Sequence, residues 1–182
     1  WNCLRFIEYV SGEFGRKMVL PDDRQHVHAG GGAVPEDLDD FAPFFKDLYA
    51  YCEAQGLPAK TLISEYAPGQ MEIVLRHRAD VLKACDEGIM LKRLIKATAE
   101  KHGMAATFMA KPYAQWTGSG MHIHVSLGDE KGNNLFAADD PMQNELLLHS
   151  IGGLKAAMAE SMLIFAPNAN SYRRFRRNSY AP

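Results

Sequence analysis

The sequence predicts an α+β layer. Short strand-like runs meet at turn signals, long helical patterns separate them, and no regular strand–helix alternation or internal repeat marks a parallel doubly wound sheet. The clearest strand pair is 60–66 and 70–77, joined by Ala67-Pro68-Gly69, a turn signature. The helical patterns run over 39–55, 79–102 and 142–164.

Residues 1–35 read as irregular, with Gly30-Gly31-Gly32 and Pro21-Asp22-Asp23-Arg24 marking loop and a short strand near Phe6–Val10. In 39–55, Phe41, Phe44, Phe45, Leu48, Tyr49 and Cys52 fall at helical spacing. Asp39 or Asp40 is placed to cap the start, Pro43 suits a first turn, and Gly56 with Pro58 ends the helix. In the second helix, Val81, Ala84, Cys85, Gly88, Leu91, Ile95 and Thr98 form the expected apolar stripe, with Cys85 in the core and Gly103 as the stop. Met104–Lys111 and Gly118–Leu127 read as strands, and Asp129–Asn133 as a hairpin-like turn. The last helix is expected to turn Leu147, Ile151, Leu154 and Met158 inward.

Composition narrows the function classes. A chain of 182 residues, 47% hydrophobic and 23% charged, can bury one sizeable core. A formal charge of -2 gives no electrostatic help to a nucleic-acid or acidic-membrane partner. Cys3, Cys52 and Cys85 are widely spaced and form no CxxC, which indicates neither a disulfide framework nor a zinc knuckle and fits a cytoplasmic setting. No apolar run reaches ~18 residues, and no signal-peptide pattern opens the chain. The start at Trp1 and the stop after Arg173-Arg174-Phe175-Arg176-Arg177 suggest a piece of a longer protein.

Three segments carry chemistry. Glu65 and Glu72 flank the tight turn, so paired strands can bring both carboxylates to one end of a sheet. There they are either solvated or held by a hard cation such as Mg²⁺ or Mn²⁺. In Gly118-Ser119-Gly120-Met121-His122-Ile123-His124-Val125-Ser126, residues two apart share a strand face. His122, His124 and Ser126 then line one side and Met121, Ile123 and Val125 the other. The polar side is either a ligand face for metal or phosphate, or simply a solvated one. The glycines ahead of it allow close approach of a ligand or mark a bulge. The third segment, Pro167–Phe175, delivers arginines from a turn-rich stretch. It suits bidentate recognition of carboxylate or phosphate, or forms a basic surface loop. Lys111-Pro112 can place a lysine beside a phosphate. His26, His28, His77, His102 and His149 show no ligand spacing.

Taken in order, Glu65…Ala-Pro-Gly-Gln-Met-Glu72, Lys111-Pro112 with Gly-Ser-Gly-Met-His-Ile-His124, and Asn-Ser-Tyr-Arg-Arg174 resemble the glutamine synthetase superfamily over residues 39–182. The resemblance implies a partial catalytic domain over 1–182, a mostly antiparallel sheet flanked by long helices. An amino-terminal β-grasp domain and the later part of the catalytic domain would lie outside this chain. It implies ATP-dependent ligation through γ-glutamyl phosphate, with an amine displacing phosphate and the full protein in a homo-oligomeric ring. By motif position, Glu65 and Glu72 would bind Mg²⁺ or Mn²⁺ on the glutamate side and His122 the metal nearer the phosphates. His124 and Ser126 would contact ATP. Thr117 and Gly118 would meet glutamate, and Arg174 would pair with its carboxylate as a catalytic group. Ammonia-using members have Asn where this chain has Thr117, and Glu where Tyr180 stands. Both departures resemble the γ-glutamylpolyamine (putrescine-type) branch and imply an organic amine as acceptor. The alternatives are an ammonia-using glutamine synthetase, a hydrolase with a His122-x-His124 metal site, and a non-catalytic relative. The small-molecule partners implied are glutamate and an amine, with no nucleic acid and no membrane. The chain by itself is expected to be inactive.

Overall fold

The structure is a computed structural model that describes residues 2–10, 41–65, 67 and 69–176. The expected loop at 11–35, the caps Asp39 and Asp40, His26, His28 and Tyr180 lie outside the described residues.

β1 (Asn2–Val10) runs through the middle of an antiparallel five-stranded sheet. β2 (Ala59–Ser64) and β3 (Gln70–Leu75) form the predicted hairpin, and β3 pairs with β1 from Asn2↔Leu75 to Ile7↔Gln70. Two short strands share the other edge of β1. β4 (Met104–Thr107) pairs along Ile7–Val10, and β5 (Met121–Ile123) along Asn2–Leu4. Both strands are shorter than expected: β5 ends where its partner β1 reaches Asn2, whereas β4 leaves the ladder after Thr107 although β1 continues past Ile7.

Two helices supply the core. α1 (Ala42–Ala54) has Pro43 in its first turn and ends before Gly56, whose φ of 66° is open to glycine without strain. α2 (Val81–Lys101) starts on the side chain of Asp80, which accepts from the Lys83 amide, and stops at Gly103 with φ 73°. Phe44, Leu48 and Cys52 of α1 meet Leu91, Leu94, Ile95 and Ala99 of α2 over Met71, Ile73 and Leu75 of β3. This is the α+β arrangement the sequence predicts.

The α2 stripe differs from the expected one. Val81 and Cys85 are exposed, so Cys85 is not in the core, and the buried face begins instead at Glu87. The first two turns of α2 extend past the hydrophobic core, and Glu87 is buried because the Arg78 guanidinium holds it by hydrogen bonds of 2.9 and 3.1 Å.

The predicted final helix is divided. A 3₁₀ turn (Pro141–Gln143) leads into α3 (Glu145–Ala157), then α4 (Met162–Phe165) and α5 (Ala169–Tyr172). Ile151, Leu154 and Met158 are exposed rather than inward, since no described element packs over that face. No helix among the described residues is long and apolar enough to cross a membrane.

Candidate functional site

The site is set by side-chain alternation on β3. All six residues of this strand are buried. Met71, Ile73 and Leu75 belong to the helix-facing core, so Gln70, Glu72 and Val74 occupy the opposite face. The Glu65 amide donates to the Gln70 carbonyl at 2.8 Å, and the Gln70 amide to the Ala67 carbonyl at 2.9 Å, closing the turn with Gly69 at φ 65°. Residues opposite one another across an antiparallel ladder share a face. Glu65 therefore stands on the face of Gln70, and both predicted carboxylates lie on one side of the hairpin. His122 pairs with Cys3, and Cys3 with Val74, which puts His122 on that same face two strands away.

His124 and Ser126 lie beyond the end of β5, and both are exposed, so the ladder does not hold them in line with His122. Met121, Ile123 and Val125 are exposed too; the apolar side expected opposite the histidines is not packed by described residues. Two carboxylates and an imidazole suit Mg²⁺ or Mn²⁺ by donor type. Among the described residues no three His, Cys, Asp or Glu side chains cluster as a metal site, so a shared face does not by itself bring these three groups together.

The segment ahead of β5 is tied to the hairpin by Gln70, only 1% exposed. Its Nε2 donates to the Gly118 carbonyl at 3.0 Å and to Ser119 Oγ at 3.3 Å. Its Oε1 accepts from the Ala67 amide at 3.2 Å and from the Thr117 hydroxyl at 2.7 Å. A backbone amide only donates and a carbonyl only accepts, so these partners settle which end of the Gln70 amide is oxygen.

Arg174 fills the space that the glycines leave. A Cβ on Gly118 would come within 2.7 Å of the Ala110 carbonyl and 3.0 Å of Arg174 Cγ; one on Gly120 would lie 3.2 Å from both Arg174 Nη atoms. The close approach anticipated for these glycines is thus made by the arginine side chain. The Asn170 side chain fixes the arginine segment, accepting from the Lys111 amide and donating to the Lys111 carbonyl, both at 2.8 Å. Lys111 Nζ donates to the Trp116 carbonyl. Burial of its ammonium, and then the like charges of Arg176 and Arg174, hold Lys111 below the ordinary lysine value of 10.5. Lys111, Arg174 and Arg176 form an electropositive corner over a glycine-rich backbone, a setting that fits a carboxylate or phosphate.

Sequence reasoning singled out Arg174 but gave no role to Gln70, Asn170 or Arg176. Gln70 and Asn170 bond to residues 47–59 positions away, which no local pattern reveals. The one local signal was a glutamine opening a strand directly after Ala-Pro-Gly.

The family model for the glutamine synthetase catalytic domain matches residues 9–182. The chain is 44% identical over 147 residues to γ-glutamylputrescine synthetase PuuA of Escherichia coli (strain K12), covering 81% of this chain and 31% of that protein. It is 42% identical to glutamate–isopropylamine ligase of a Pseudomonas species, covering 74% and 30%. It is also 37% identical to glutamine synthetase of Pyrococcus abyssi (strain GE5 / Orsay), covering 98% and 43%. The solved structure of apo GmaS without ligand superposes with a TM-score of 0.79 at 28% identity, covering 96% of this chain and 41% of that one. The chain spans about a third of the length of the first two relatives.

Proposed function

This chain belongs to the glutamine synthetase catalytic-domain family, and from that premise we propose that its protein is an ATP-dependent ligase joining glutamate to an organic amine. The observation that carries the proposal is the Arg174 side chain laid over Gly118 and Gly120, in one corner with Lys111 and Arg176. Such a corner holds a carboxylate and offsets charge that builds as it is phosphorylated.

In this proposal Arg174 pairs with the glutamate carboxylate, and Thr117 and the Gly118 backbone line the glutamate site. Glu65 and Glu72 hold a divalent cation on the glutamate side, His122 holds a second nearer the phosphates, and His124 and Ser126 contact ATP. The cations, Mg²⁺ or Mn²⁺, neutralise phosphate charge when bound. A further expectation rests on the share of its first two relatives that the chain spans, about a third. The 182-residue chain alone should release no phosphate from ATP with glutamate and an amine, and measurable release would overturn this.

Two features support an organic amine over ammonia. The matched relatives include proteins named γ-glutamylputrescine synthetase, glutamate–isopropylamine ligase and γ-glutamylethanolamide synthetase, at 39–44% identity, against 34–37% for those named glutamine synthetase. The Thr117 hydroxyl is also turned onto Gln70 rather than outward. The whole protein is proposed to work in the cytoplasm as a homo-oligomeric ring, with small molecules and no nucleic acid as its partners. The test is phosphate release by the full-length protein with ammonia, putrescine, longer polyamines and monoamines. A preference for one of the organic amines is expected, and a preference for ammonia would sink the acceptor assignment. Stabilisation by Zn²⁺ alone, with none by Mg²⁺ and ADP, would favour a hydrolase instead.

A further inference from the structure

We infer that Gln70 is a positioning residue that locks the carboxylate hairpin to the glutamate-binding backbone, so that the two halves of the site move as one. The inference rests on the ligase proposal above and deepens it. Gln70 sits at the first position of β3, on the face of Glu65 and Glu72. Its side chain spans from the turn at Ala67 to the three consecutive residues Thr117, Gly118 and Ser119.

Three physical features make this more than a buried glutamine. The amide uses both donors and both acceptor positions, which is the most it can satisfy. Ala67 and Ser119, at its two ends, are only 4% exposed, so water cannot readily replace a lost partner. Finally, the hairpin and the 117–119 segment are not neighbouring strands. β3 pairs with β1 and β2, and β5 begins only at Met121. The Gln70 amide therefore stands where no ladder hydrogen bond joins the two segments. Gly118 is in turn packed against the Arg174 methylene stem and Gly120 against its guanidinium, so a shift of this backbone disturbs the seat of the arginine.

The test compares full-length wild type with Gln70→Leu, which keeps the volume and removes all four hydrogen bonds, and with Gln70→Glu. The latter keeps the acceptor toward Ala67 and Thr117 but loses the donor toward Gly118. We expect Gln70→Leu to raise the KM for glutamate at least about tenfold and to leave the KM for ATP within about twofold, and Gln70→Glu, whose carboxylate would face the Gly118 carbonyl, to impair glutamate binding at least as much. Amide exchange at Ala67 and residues 117–119 should accelerate by at least about tenfold, with the α2 amides of Leu91–Ala99 unchanged. Unchanged exchange at 117–119 would show that the amide does not join the segments. Faster exchange with glutamate KM unaltered, or an equal rise in both KM values with a general loss of Tm, would reduce Gln70 to a structural residue. If Gln70→Leu does not fold, Gln70→Met, which follows the glutamine side chain more closely, is judged by the same criteria. A wild type that ligates neither organic amines nor ammonia would remove the ligase proposal, and the exchange measurement would still decide the linkage.

Discussion

Gly118 and Gly120 differ in what limits them. At Gly118 an added methyl meets the Ala110 carbonyl at 2.7 Å, and backbone cannot step aside; at Gly120 it meets the tips of a flexible arginine at 3.2 Å. Gly118→Ala is therefore expected to cost about 1–3 kcal/mol in denaturant unfolding and to abolish most glutamate binding. Gly120→Ala should be milder in stability and should act mainly on Arg174. Equal effects at the two positions would show that crowding by Ala110 is not the cause. The cysteines also separate by environment. Burial pushes the Cys52 thiol up to about 11, while Cys85 is exposed. Iodoacetamide at pH 8, followed by peptide mass spectrometry, should label Cys85 quickly and Cys52 only on unfolding; labelling of Cys52 at the rate of Cys85 would contradict the packing. Asp47 hydrogen-bonds Lys101 and His102 at 3.0 and 3.1 Å, and these bonds hold its carboxyl below the ordinary 3.8. A depressed carboxylate stabilises the fold above its unfolded value and loses that contribution as pH falls through the folded one. Asp47→Asn should thus lower Tm slightly near neutral pH, and the difference should shrink as pH falls through the lowered carboxyl value.

Among the elements, α2 depends on both its start and its middle. Asp80→Ala removes the cap on the Lys83 amide and should cost about 1 kcal/mol. Arg78→Ala leaves the Glu87 carboxylate buried with its bidentate partner gone, and should cost about 1–3 kcal/mol, more than the cap. Chemical denaturation of the two variants checks the order. The same helix shows what could be read in advance. Its span, its Gly103 stop and the apolar positions Leu91, Ile95 and Thr98 were legible because a period of 3.6 is a local property. The exposure of Val81 and Cys85 was not, since periodicity marks a face without saying how far the layer beneath it reaches. The hairpin was legible for a similar reason, its Ala-Pro-Gly turn being written in adjacent residues. The placement of His122 on the side of Glu65 and Glu72 followed only once the pairing through β1 was known, and β1 had been expected merely as a short strand near its end.

At the scale of the whole molecule, the described residues divide into a well-packed part and an open one. The core joins α1, α2 and the sheet, whereas Ile151, Leu154, Met158, Leu163, Ile164 and Phe165 of the α3–α4 region are all at least half exposed. Large apolar side chains left exposed in such numbers favour association in water. The 182-residue chain, prepared alone, should self-associate at micromolar concentration in sedimentation velocity, and Leu154→Glu with Leu163→Glu should reduce this. A monomer indifferent to both changes would count against it. The expected α+β class survived this unevenness because it depends on the packed part. The inward row at 147–158 did not, because burial there needs a partner that the described residues do not supply.

The Asn170 side chain imitates a peptide unit, offering Lys111 one acceptor and one donor at the spacing a neighbouring strand would. The arginine segment is thereby addressed to the main chain at position 111, which every amino acid but proline presents alike. The lysine side chain can change, or be modified, without misplacing the loop. Asn170 has no such freedom: aspartate would lack the donor and set a negative charge against a carbonyl, and glutamine would hold the loop one methylene too far away.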